Sequence, residues 1–208
     1  MPLFKRKTKT APAAAAAPAA TAPAAVATAT VPDIAGAYTI DPSHTRVGFV
    51  ARHAMVTSVR GSFLDFEGTA TVDTATPSAS SVSLTIKAAS VTTGSADRDG
   101  HLVSADFFDA ETYPTLTFAS TDVERDGDTW TITGDLTIKD VTKSVSIDFD
   151  FLGTAQDPFG NTRIGFEGEV TVNRKDWGLT WNAALETGGV LVSDKIKLAF
   201  DVSAIKSA

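Results

Sequence analysis

The stretch SADRDGHLVSADFFD, Ser95 to Asp109, sets a His and an Arg among carboxylates. Asp97, Asp99 and His101 could exchange a proton as acid and base, with Arg98 anchoring an anionic group. No Ser or Cys nucleophile motif accompanies them, and the chain has no Cys at all. Two quieter readings use the same residues. In one, Ser95 and Asp97 cap the start of a short helix or turn. Leu102, Phe107 and Phe108 then pin that segment to the body, and Arg98 pairs with acids at the crossing. In the other, the segment borders a cavity mouth, where Asp97, Arg98, Asp99 and His101 meet the head group of a ligand. Either way it is a lid or brace, and no catalytic residue is assigned.

The three His are His44, His53 and His101. They lie far apart, lack His-x-x-x-His spacing and have no Cys to join them, so no metal site and no cofactor are expected. His44, in DPSHT, follows an Asp-Pro turn and suits a bond to Asp41. His53, in VARHAMV, suits a hydrogen-bonded strand end. DWGLTW sets Trp177, Leu179 and Trp181 on one face of a short extended segment, as core or as cavity wall, with Gly178 permitting close approach.

The elements that would hold these residues have a period of two. VSLTIK alternates Val82, Leu84 and Ile86 with Ser83, Thr85 and Lys87. VSIDFDF sets Val145, Ile147, Phe149 and Phe151 opposite Ser146, Asp148 and Asp150. IGFEGEVTV and IKLAFDV repeat the pattern, with Ile164, Phe166, Val170 and Val172, then Ile196, Leu198, Phe200 and Val202, on the apolar face. Leu116 and Phe118 come from LTF, and Trp130, Ile132, Leu136 and Ile138 from TWTITGDLTI. Such alternation marks strands with one apolar and one wet face. RDGDT at Arg125–Thr129 reads as a hairpin turn, and QDPFGNT at Gln156–Thr162 as a longer one. DLTIKDVTKSV reads as strand, turn, strand, with Asp140 in the turn and Lys139 and Lys143 in solvent. Helical patterns between strands are missing, which argues for an antiparallel meander over a parallel α/β sheet. Such a sheet either splits into a sandwich or closes into a barrel, and periodicity alone leaves both open.

The 208 residues suffice for one good-sized domain or two small ones, and 43% hydrophobic content with 12 Phe and 3 Trp can fill a core. Residues 1–35 carry Lys5, Arg6, Lys7 and Lys9 against Asp33, a net of +3; the chain carries −7, so the remainder carries −10. An acidic body is a poor match for phosphates, and nucleic acid is discarded as a partner. Residues 11–30 hold only Ala, Pro, Thr and one Val. Pro12, Pro18 and Pro23 interrupt any helix and nothing bulky is present to bury, so residues 1–35 are expected to be a disordered basic and Ala/Pro-rich tail. MPLFKRKTKT opens like a signal peptide but lacks the apolar run that should follow, and no transmembrane segment is found, so a cytoplasmic protein is expected. Phe4-Lys5-Arg6-Lys7 offers at most a weak peripheral contact with an anionic membrane.

YTIDPSHTRVGFVARHAMVTSVRGSF, ASVTTGSADRDGHLVSADFFDAETYPTLTFAST, GDLTIKDVTKSV and NRKDWGLTW follow one another in this chain. In that order they resemble the YceI-like family, over roughly Tyr38 to Ile205. The resemblance implies an all-β, lipocalin-like extended antiparallel barrel over residues 36–208, with a short helical segment at one end. It also implies a long apolar ligand in the interior, a polyisoprenoid or isoprenoid quinone. Many relatives are extracytoplasmic, which stands as the alternative location. The family is not known by a shared reaction.

Alternation and the resemblance together nominate the residues that would line such an interior. They are Phe49, Leu84 and Ile86; Phe118 and Ile138; Ile147 and Phe149; Phe166 and Val170; and Trp177 and Leu179. A β-bulge would reverse every face beyond it. The expected function is to carry or store a lipid. A ligand-free scaffold is the alternative, and a lipid-modifying enzyme using His101 is a weaker one. Pairing of exposed strand edges leaves a homodimer open.

Overall fold

A computed structural model describes residues 33–186 and 188–207. The expected tail lies, apart from its last three residues, outside the described residues. Packed chain is already present at Ile34, which is 2% exposed and whose carbonyl accepts the Tyr38 hydroxyl at 2.8 Å.

The strands are β1 (Gly36–Ile40), β2 (Arg46–His53), β3 (Thr57–Phe63), β4 (Phe66–Val72), β5 (Ser81–Lys87), β6 (Val91–Thr92), β7 (Thr115–Asp126), β8 (Thr129–Ile138), β9 (Val141–Gln156), β10 (Thr162–Asn173) and β11 (Val192–Lys206). One α-helix, α1 (Ala96–Val103), follows β6. Among the described residues no helix is long and apolar enough to cross a membrane.

Eight strands pair in the order β1, β4, β5, β7, β8, β9, β10, β11, and β1 returns to β11 to close an antiparallel barrel. Closure decides the choice that periodicity left open, and it removes the free edges of these eight strands. β11 has two partners on one edge. Ala204–Lys206 pair with β1, while Ile196–Asp201 pair with β2. From β2 the sheet continues through β3 to the two-residue strand β6, which leads into α1.

Turns fall where Gly and Asp allow them. Gly127, with φ of 61°, completes the β7–β8 hairpin at Arg125–Thr129. Lys139 takes a positive φ of 59° beside Asp140 in the tight β8–β9 turn. Two bulges reset the alternation. Between Ser120 and Asp122 the register of β7 slips, so that Val123, not Asp122, is buried. Opposite the Gly165–Phe166 step, β9 carries Leu152 as an extra residue, and Leu152 is 60% exposed.

The Ser95–Asp109 segment forms the expected short helix, with a different polar arrangement. Ser95 sits at the N-cap, but its side chain caps nothing. Asp99 reaches back instead, accepting from Thr93 N at 2.8 Å and Thr92 Oγ1 at 3.2 Å. The Thr93 hydroxyl, which also donates to Asp99, leads these bonds in holding the Asp99 carboxyl below its ordinary pKa. Contrary to the expectation from sequence, Arg98 forms no ion pair with an acid among the described residues. It donates to Thr93 Oγ1 at 2.7 Å and Thr93 O at 3.1 Å, because the helix folds back on the threonines that precede it. Leu102, Phe107 and Phe108 do pin the segment. Phe107 is 6% exposed, and Phe108 meets Phe63 edge-on at 5.6 Å.

Candidate functional site

The barrel encloses a cavity of about 160 Å³. Its wall comes from all eight barrel strands and from β2 and β3, and carries no charged side chain. The polar side chains on it are Thr45, Thr71 and Ser80. Thr45 and Ser80 are occupied by backbone: Thr45 Oγ1 donates to Ser203 O at 3.1 Å, and Ser80 Oγ accepts from Asp73 N at 2.9 Å. A cavity so lined stays dry and favours an apolar occupant.

Seven of the eleven residues nominated from sequence line it. They are Leu84 and Ile86 on β5, Phe118 on β7, Ile138 on β8, Ile147 and Phe149 on β9, and Phe166 on β10. The other four do not. Phe49 points to the same side as Val47 but rests on Gly61 and, at 6.0 Å between ring centroids, on Phe63. Val170, Trp177 and Leu179 pack with Phe107 behind the wall residues Leu136 and Val145 and do not line the cavity themselves. Trp177 is fixed there by its Nε1, which donates to Leu136 O at 3.0 Å. Further wall residues include Ile40, Phe63, Trp130, Ile132, Leu198 and Phe200. The alternation already put Trp130, Ile132, Leu198 and Phe200 on apolar faces, so applying it evenly would have found them.

Three phenylalanines, Phe118 and Phe149 on the wall and Phe49 beside it, lie against glycines across or along the sheet. Phe49 covers Gly61, Phe118 covers Gly134 and Phe149 covers Gly168. A side chain at any of these glycines would collide with the ring. Because the glycines have none, the rings rest on the wall.

Asp97, Arg98, Asp99 and His101, expected at the cavity mouth, do not line the cavity. Asp99 and Arg98 are held by Thr92 and Thr93. His101 is wedged edge-on between Trp181 at 4.5 Å and Phe107 at 5.0 Å, and its Nε2 lies 2.9 Å from Asp106. That is the geometry of a brace. His44 bonds Asp41 at 2.7 Å, as its spacing suggested, and His53 ends β2. Among the described residues no group of His, Asp and Glu is placed to hold a metal.

Among the described residues, charge lies on the outer face and at the ends. Asp148, Asp150, Glu167, Glu169 and Asp201 alternate with the inward apolar residues of β9, β10 and β11. At one end Arg163 joins Asp41 at 2.5 Å to Asp157 at 2.8 Å. Ser43 and Arg163 depress the Asp41 pKa, and Asn161, with Arg163, depresses that of Asp157. At the other end Arg174 is buried at 5% exposure. It donates to the carbonyls of Ser193, Leu179 and Trp181 at 3.0, 2.5 and 2.8 Å, and its Nη2 faces Asp194 at 3.5 Å.

The profile of the YceI-like domain family matches residues 38–204. Protein YceI of Escherichia coli O157:H7 is 43% identical over 148 residues, covering 70% of this chain and 78% of that protein. The crystal structure of Campylobacter jejuni YceI superposes with a TM-score of 0.65 at 32% identity, over 76% of this chain and 90% of that one. A polyisoprenoid binding domain from Saccharophagus degradans shares the fold alone, with a TM-score of 0.62 at 18% identity over 82% of this chain and 98% of that one. Closed barrel, apolar interior and sequence agree: this chain belongs to the YceI-like domain family.

Proposed function

We propose that the protein binds a long-chain apolar lipid of the polyisoprenoid class inside its barrel, as a carrier or reservoir, and performs no chemistry on it. The observation that carries this reading is the cavity wall, apolar on every contributing strand and free of charge. Each CH₂ of an acyl or prenyl chain moved into such a space gains about 0.8 kcal/mol by transfer alone. Affinity therefore accumulates with chain length, and selectivity follows the bore. The Saccharophagus degradans domain, named for polyisoprenoid binding, supports the choice of lipid class. A binding role rather than an enzymatic one is supported by the family and by His101, whose ring and Nε2 are occupied in packing.

The test is native mass spectrometry of the protein purified from its own host, followed by organic extraction of what it carries. A stoichiometric isoprenoid or quinone is the expected result. A bare protein that also refuses added polyprenyl chains overturns the proposal in favour of a filled-barrel scaffold.

A further inference from the structure

One residue of the cavity wall has unmet hydrogen-bonding capacity. Trp130, on the inner face of β8, lines the cavity and is 3% exposed. Its Nε1 finds no hydrogen-bond partner among the described residues. A buried N–H without an acceptor is destabilising, and most proteins supply one. Trp177, equally buried, does have its acceptor, Leu136 O.

The surroundings of Trp130 are polarised. Its ring meets Phe166 edge-on at 6.2 Å and packs in the cluster that contains Ile34, Tyr38, Val123 and Ile164. No residue of α1 belongs to that cluster. Arg125 faces Trp130 in register on β7, and its guanidinium carbon stands 4.9 Å from the ring centroid. Its Nε donates to Gly127 O at 2.8 Å in the hairpin turn, which holds the cation at this end of the strand. A donor on the wall and a cation just outside it therefore lie together at one pole, while the wall itself carries no charge.

We infer that this pole, and not the α1 end, receives the oxygen-bearing head of the lipid, with Trp130 Nε1 donating to a head-group oxygen and Arg125 lying beside it. The inference rests on the lipid-binding reading above. The ligand it selects is amphiphilic: an apolar chain ending in a hydroxyl, carbonyl or phosphate oxygen. A pure hydrocarbon would leave the indole N–H unmatched.

The experiment compares a long-chain polyprenol, its monophosphate and the polyprene hydrocarbon of the same length, each titrated into the full chain. Wild type should prefer the polyprenol to the hydrocarbon about tenfold, or ~1.4 kcal/mol. Trp130→Phe keeps an aromatic ring and removes the donor. It should abolish that preference, so that the variant's own affinities for polyprenol and hydrocarbon differ by less than about twofold. In ¹H–¹⁵N spectra the Trp130 indole proton should move downfield with polyprenol but not with hydrocarbon, while that of Trp177 stays put. If Trp130→Phe fails to fold, the indole shift in wild type decides alone. Arg125→Gln separates the oxygen sources: a loss confined to the monophosphate assigns a phosphate head, and unchanged affinities assign a neutral oxygen. Equal wild-type affinity for polyprenol and hydrocarbon, or an unmoved Trp130 proton, overturns this inference and leaves lipid binding standing. Failure of wild type to bind any of the three overturns both.

Discussion

The ring of Phe149 lies over Gly168 on the neighbouring strand, so that a Cβ at Gly168 would stand 2.6 Å from Phe149 Cδ1 and 2.8 Å from Asp148 O. The pair shows how the bore is kept. A large aromatic residue faces the lumen, and the missing side chain opposite lets it settle against the wall. Phe118 and Gly134 repeat the arrangement, with Phe118 Cζ at 2.5 Å from the corresponding Cβ position.

Gly168→Ala should therefore push the Phe149 ring into the lumen. Overpacking of this kind costs about 1–3 kcal/mol. Long-chain lipid affinity should fall at least about tenfold, a larger effect than the stability loss alone would give. Phe149→Leu in the same chain should restore part of the affinity, since the two residues are in contact and their effects couple, while the approach to Asp148 O remains. Lipid titrations and thermal melts of the two single variants and the double variant check this.

His101 braces the α1 segment. It stacks edge-on with Trp181 and Phe107 and bonds Asp106. Edge-on aromatic pairs are worth about 0.5–1.5 kcal/mol each. His101→Ala should lower the unfolding free energy by about 1–2 kcal/mol and leave the amount of bound lipid unchanged. Chemical denaturation alongside lipid extraction separates the outcomes; intact stability with lost function would revive an active role for His101.

Arg174 organises the chain between β10 and β11. Its removal strands the carbonyls of Leu179, Trp181 and Ser193, which it now satisfies. Arg174→Met should destabilise by about 2–4 kcal/mol. Arg174→Lys should recover little of this, because a single ammonium cannot reproduce the planar fork. Urea midpoints of the three proteins measure both effects.

Acid should weaken the opposite end. Asp41 and Asp157 both have folded pKa values held below the ordinary carboxylate value, chiefly by Ser43 and Asn161 respectively, with Arg163 assisting both. A depressed carboxylate contributes stability that is present above its unfolded pKa and is lost as pH falls toward the folded one. Melting temperature should thus decline from about pH 5 downward. Arg163→Gln should make that slope shallower without flattening it, since Ser43 and Asn161 keep their bonds. A pH series of melts on both proteins decides.

Much of the site was legible because a strand declares its faces locally. Leu84, Ile86, Phe118, Ile138, Ile147, Phe149 and Phe166 follow a period of two, and all seven reach the cavity wall. The hairpin at Gly127 and the helix at Ala96–Val103 were equally local. What alternation could not carry was parity across a bulge, as Val123 shows, because one extra residue reverses every face beyond it. Nor could it separate wall from solid core. Val170 alternates as faithfully as Phe166, yet it packs with Trp177 and Leu179, while Phe166 faces open space.

On its own, then, the sequence determined the strands, their apolar faces, the main turns and the family. The tertiary structure alone decided that the sheet closes through β1 and β11, that glycines sit under the Phe49, Phe118 and Phe149 rings, and that Trp130 is left with an unmatched N–H. The physical reason is range. A face depends on neighbours two residues away along the chain, whereas a cavity depends on which side chains, from strands distant in sequence, arrive opposite one another.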